Sequence, residues 1–276
     1  MRSWNSEENK DAVIIRYAIR LILPFLFWAL FYAIVPPFVS GEPDGILNAI
    51  KTHLLNILLH PREFAFYGFV YHLWFLSSLF QALLILSVCL RYGNLLYAVV
   101  MGAIYYGIEL LGGLYAVAPW GFHTNFDMKE GPFISTLFVA MGALIAQHSY
   151  MMRPVKALTL ACIGFLLALA EIWFLHAYYQ RPWMSYNYTL GTSIFGLGVM
   201  FLALSWRNVN TGLAYMGTYS LGIYAIHPYI IEVLKRLGID HLLISFPLIF
   251  ISIAFIVSLF LAILLAKIKW MRRMVV

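Results

Sequence analysis

Charge is what this 276-residue sequence has least of: Asp, Glu, Lys and Arg together make up 11% of it, against 63% hydrophobic residues. A soluble domain carries about a quarter charged residues, so this composition excludes a water-facing surface over most of the chain. Two cysteines, Cys89 and Cys162, both inside apolar runs, exclude a disulfide framework and read as small buried hydrophobes. Gly/Ser-rich linkers, low-complexity tracts and internal repeats are missing, so the expectation is one membrane domain over residues 1–276. The amino terminus lacks the pattern of a removable signal peptide, because Glu7, Glu8 and Asp11 precede a long apolar run with no small-residue cleavage site after it. Short alternating segments of the kind that build a β-barrel are absent as well.

What the sequence has instead is apolar runs of about 20 residues, the length that crosses roughly 30 Å of hydrocarbon as a helix. Eight are predicted: Ala12 to Val35, Phe66 to Leu90, Leu95 to Ala118, Gly131 to Met152, Val155 to Tyr178, Tyr188 to Trp206, Thr211 to Leu234 and Leu243 to Lys267. The fold class is therefore all-α, a polytopic transmembrane bundle. Between the first two spans, residues 36–65 form an extracytoplasmic loop in which Ile46, Ile50, Leu54 and Ile57 recur on one helical face, the pattern of a helix lying at the membrane surface. With the amino terminus inside, the inner segments hold Arg2, Lys10, Arg16, Arg20, Arg91, Arg153, Lys156, Arg207, Lys267, Lys269, Arg272 and Arg273, twelve of the 18 basic residues. That bias places both termini in the cytoplasm. It also accounts for most of the net charge of +6, which points to anionic headgroups rather than nucleic acid.

Ionisable groups deep in a span cost roughly 2.5–3.5 kcal/mol each and mark cavities or partners. His72, Glu109, Glu171 and His227 are such groups. Counted from the cytoplasmic end of each span at 1.5 Å per residue, all four fall about 22–28 Å above the inner boundary. One polar layer in the outer half of the bilayer is expected, with interfacial placement and simple helix pairing as the structural alternatives. No metal site is expected, because the histidines lie on different spans without ligand spacing.

Three strings carry more specific chemistry. They are Arg16-Tyr-Ala-Ile-Arg20 ahead of Pro24 and Trp28, His72-Leu73-Trp74-Phe75-Leu76, and Ser220-Leu221-Gly222-Ile223-Tyr224-Ala225-Ile226-His227-Pro228. In that order they resemble the integral membrane acyltransferase 3 family, with Lys129-Glu130-Gly131-Pro132-Phe133 ahead of Gly142 as a weaker fourth match. The resemblance implies transfer of an acyl group, most often acetyl, from acyl-coenzyme A to a hydroxyl of a cell-surface carbohydrate or lipid-linked glycan. It implies an integral protein of the bacterial inner membrane, with acyl-CoA as donor substrate and no bound cofactor. His72 and His227 become the catalytic candidates. Arg16 and Arg20 become candidates for the donor phosphates, and Trp74, Tyr224, Lys129, Glu130, Glu109 and Glu171 candidates for substrate contact.

The family usually has about ten spans and carries a catalytic His on its first. The present sequence starts where the third would, so that His has no counterpart here. Three outcomes stay open: a second chain supplies the missing helices, the two histidines present suffice, or the chain is an inactive scaffold. A transporter or flippase-like protein for a polar solute is the alternative from a different class. The orientation is tested by reporter fusions: alkaline phosphatase joined after Val276 is expected to be inactive, and a fluorescent protein joined there to fluoresce.

Overall fold

Apolar runs with almost no competing polar side chains leave the backbone to satisfy itself, and helix is the conformation that does so within one segment. The computed structural model describes residues 10–35, 46–68, 71–125, 127, 131–148, 150–183, 188–206, 209, 212–239 and 241–276, and among them no strand occurs. In chain order the helices are α1 (Lys10–Ile34), α2 (Ile46–Leu59), α3 (Pro61–Tyr67), α4 (Trp74–Tyr92), α5 (Leu95–Gly112), α6 (Pro132–His148), α7 (Pro154–Tyr179), α8 (Leu190–Ser205), α9 (Gly212–Gly217), α10 (Ser220–Arg236), α11 (His241–Ser245), α12 (Pro247–Ala266) and α13 (Arg272–Val275). Proline opens α3, α7 and α12, where its missing amide is no loss. The Asn94 side chain accepts from the Leu96 and Tyr97 amides to cap α5.

The protein is an integral membrane protein. Among the described residues five segments are long and apolar enough to cross a bilayer: Val13–Ile34, Trp74–Tyr92, Leu95–Val117, Pro154–Tyr179 and Pro247–Ala266. Their outward faces carry exposed Leu23, Leu30, Val100, Leu166 and Ile256, side chains suited to lipid. Helices also occupy the three other expected spans, but α6, α8 and α10 are only 17, 16 and 17 residues long, and the seventh span, Thr211 to Leu234, is broken between α9 and α10. The second expected span, Phe66 to Leu90, is interrupted. Helix α3 ends at Gly68, whose φ of 64° reverses the chain, and α4 begins only at Trp74 after a single 3-10 turn over Tyr71–Leu73. Within the expected surface loop, α2 exposes Leu47, Leu54, Leu58 and Leu59.

The chain divides into two compact units interleaved in sequence, one of residues 1–19 and 77–209, the other of residues 20–76 and 210–276. In the first, α7 and α8 meet backbone to backbone: a Cβ on Gly164, Gly191 or Gly198 would stand 2.2, 2.2 and 2.4 Å from backbone nitrogens of the facing helix. Ser78 Oγ, on α4, donates to the Gly131 carbonyl at 2.7 Å and pairs with Ser135 Oγ of α6 at 2.7 Å. In the second unit, Phe25, Trp28, Ala29 and Tyr32 of α1 pack with Leu73, Ala225, Ile226, Phe250 and Val275 in one buried cluster. Trp28 Nε1 donates to the Met274 carbonyl at 2.9 Å, which fixes α13 into that core. Gly198→Leu is expected to cost at least about 1–3 kcal/mol by overpacking. Gly142→Ala, with nothing within 4 Å, is expected to be tolerated. Thermal unfolding in nanodiscs reads both.

Candidate active site

The second unit brings together the two histidines that the strings single out. Helix α10 carries Tyr224, His227 and Pro228 in a row, and its Gly222 is the residue that lets it lie close: a Cβ there would sit 2.8 Å from Ala262 Cβ and 2.9 Å from Val275 Cβ. Proline at 228 has no amide to donate to the carbonyl of Tyr224 four residues back, and its ring pushes that carbonyl aside. His227 Nδ1 lies 2.8 Å from the Tyr224 oxygen and 3.3 Å from the Ile223 oxygen. Carbonyls only accept, so Nδ1 carries the hydrogen and the lone pair of the neutral ring is on Nε2. Reversing the tautomer would set a lone pair against a carbonyl oxygen, a loss of about 1–3 kcal/mol. Among the described residues no hydrogen bond uses Nε2.

His72 faces this ring from the 3-10 turn before α4, with the two imidazole centroids 5.7 Å apart and nearly perpendicular. Tyr32 meets the His72 ring edge-on at 5.1 Å, and Tyr224 lies at 5.6 Å. Both tyrosine hydroxyls are spent on backbone. Tyr224 donates to the His72 carbonyl, bracing the turn, and Tyr32 donates to the Ala225 carbonyl beside the proline. The Ala225 carbonyl lies near the His72 ring. Both ring nitrogens of His72 are nevertheless buried without a hydrogen bond of good geometry among the described residues. An unpaired buried donor or acceptor costs free energy in a low-dielectric surround. Phe75 extends the aromatic wall at 5.9 Å from Tyr224, with Trp74 edge-on to it at 6.0 Å.

The two glutamates lie in the first unit. Glu171 on α7 accepts from the Tyr115 hydroxyl and from the Leu190 amide at 3.1 Å through one oxygen, and from the Gly191 amide at 2.8 Å through the other. These amides open α8, where the helix dipole favours a negative charge, so the carboxylate ties α7 to α8. Glu109 on α5 is 4% exposed, and its Oε2 is buried with no partner among the described residues. Arg181 acts on it through the field, yet gives Nη1 to the carbonyls of Gly113 and Leu114 at 2.7 and 2.6 Å. Tyr106, which feels both glutamates, donates to the Thr189 carbonyl at 2.5 Å.

Arg16 and Arg20 are exposed, four residues apart on α1 and therefore on one helical face. Lys129 and Glu130 lie outside the described residues. Tyr32 was not among the residues singled out from sequence, and Pro228 entered only as the last residue of the third string. A tyrosine in an apolar run reads as a belt residue, and the break in the α10 ladder, written in His-Pro, was the one signal that a freed carbonyl needed a donor.

The paired imidazoles, the tyrosines around them and the proline-broken helix thus form one cluster within the second unit. The acyltransferase domain family matches residues 12–267, and the chain belongs to this acyltransferase 3 family. A protein of Enterococcus faecalis named amino-acid racemase is 24% identical over 252 residues, 86% of this chain and 34% of that protein. The chain thus spans about a third of the length of the curated relative it matches. No solved structure matches.

Glu171→Gln keeps the shape of the side chain but turns one acceptor into a donor opposite an amide or the Tyr115 hydroxyl. A loss of about 1–3 kcal/mol in the stability of the purified protein is expected, read as a lower Tm.

Proposed function

We propose that the protein moves an acyl group, acetyl first among those to test, from acyl-coenzyme A to a hydroxyl of a cell-surface carbohydrate or lipid-linked glycan in the bacterial inner membrane. The observation that carries this reading is the His227 imidazole, tied at Nδ1 to a backbone carbonyl and bearing its lone pair on Nε2. In the proposed step Nε2 takes the proton of the acceptor hydroxyl as its oxygen attacks the thioester carbonyl carbon. The carbon–sulfur bond then breaks, and the imidazolium returns the proton to the departing thiolate, so an ester and a free thiol are formed. His72, whose ring nitrogens have no hydrogen bond of good geometry among the described residues, orients the acceptor or the polarised carbonyl. Arg16 and Arg20 take the phosphates of the donor, for which paired guanidinium groups are suited. Trp74 and Tyr224 supply apolar wall for the substrate.

A second reading, carriage of a polar solute, draws on Glu109, a buried carboxyl of the kind that transporters use. The name of the Enterococcus faecalis relative makes an amino acid the first solute to try. Uptake into proteoliposomes that persists in His227→Ala would favour it.

The test of the main reading is transfer of radiolabelled acetyl from acetyl-CoA to envelope glycan by the purified chain in proteoliposomes. His227→Ala is expected to lower transfer by about 10²–10⁴-fold, the usual contribution of a general base. His72→Ala is expected to lower it by at least tenfold. Full transfer by the double alanine variant would end the catalytic reading, and glycan modification in cells that carry that variant would assign the chain a scaffold role.

A further inference from the structure

We propose that Pro228 is a positioning residue: by withdrawing an amide from α10 it hands the Tyr224 carbonyl to His227 Nδ1 and so sets which nitrogen of that imidazole is basic. The inference rests on the reading of His227 as the proton acceptor, but it concerns the state of the ring before any substrate arrives.

In an unbroken α-helix the amide of residue 228 would donate to the carbonyl of Tyr224. Proline cannot, so that oxygen must be met by a donor from outside the helix ladder. The nearest side chain able to supply one is the preceding residue's imidazole, and Nδ1 lies 2.8 Å from that oxygen. The same nitrogen is 3.3 Å from the Ile223 oxygen, a carbonyl that faces the same side of the helix. Two acceptors converge on one nitrogen, which leaves the Nδ1–H tautomer as the form that satisfies both. The second gap beside the proline is treated the same way. The Tyr32 hydroxyl donates to the Ala225 carbonyl and also meets the Tyr229 amide, so a side chain from α1 is inserted into the α10 ladder at the turn where the proline loosens it. With Tyr32 on one side and the imidazole on the other, the break is held open and the ring is held still, 5.7 Å from His72. The adjacent His-Pro pair therefore works as one device. The proline frees an acceptor, and the histidine occupies it with the nitrogen that is not needed for chemistry.

Pro228→Ala restores the amide and removes the ring that tilts the Tyr224 carbonyl outward, so the carbonyl returns to the helix ladder and Nδ1 loses its partner. The experiment is ¹⁵N-histidine NMR of the full chain in nanodiscs at neutral pH, with His227 assigned by the signal missing in His227→Gln. The native protein is expected to show Nδ1 protonated and Nε2 bare, and Pro228→Ala to show the two nitrogens averaged or reversed. In the transfer assay Pro228→Ala is expected to lower kcat by about ten- to a hundredfold, within the range that a general base contributes, with KM changed less than about twofold. A native spectrum with Nε2 protonated overturns the proposal without any variant, so misfolding of Pro228→Ala does not shield it. An unchanged spectrum and unchanged kcat in Pro228→Ala overturn it equally. Activity retained by His227→Ala would instead remove the role of His227 as base while leaving the tautomer result standing.

Discussion

A backbone carbonyl that loses its donor in the helix ladder must find another, and the unit that holds the two histidines is organised around one such carbonyl. Pro228 strands the Tyr224 oxygen, His227 takes it up, and the orientation of that ring follows. The neighbouring contacts extend from the same turn: Tyr32 answers the Ala225 carbonyl, Tyr224 reaches across to the backbone of His72, and Gly222 brings the helix close enough to its neighbours for these reaches to be made. A helix break that would be a defect elsewhere is here the means of aiming a side chain.

The other unit shows what buried acids do when they are not at that break. Glu171 satisfies two amides and a phenol, an architectural use of charge at a helix start. Glu109, one helix away in the same unit, keeps an oxygen without a partner among the described residues. Residues at equal depth in a sequence count thus differ completely in what surrounds them. Depth follows from the count along each helix, whereas partnership depends on which faces meet.

That distinction also marks how far the sequence was legible. Helix class follows from hydropathy, so helix occurs in each of the eight expected segments, although the second, seventh and eighth are broken. The early start read for the second span fails because Phe66 is apolar enough to belong to it, while the positive φ at Gly68 turns the chain before α4 begins. Helix α8 starts two residues late, at the Thr189 and Thr192 cap, and α6 falls short at its carboxyl end, where it stops at His148 rather than Met152. His72 and His227 were legible through their strings, and the structure sets them 5.7 Å apart. Tyr32 was not, because nothing in an apolar helix announces that one phenol will face a proline 196 positions away rather than the interface.

The bond between Trp28 and the Met274 carbonyl spans 246 positions of sequence. The core that holds the imidazole pair also includes Phe25 from one end of this stretch and Val275 from the other. In a chain made from its amino end, Trp28 meets Leu73 of the same core long before its hydrogen-bond acceptor at Met274 exists. Closure of this face of α1 is thus a late event, and the indole donor goes without that carbonyl until then.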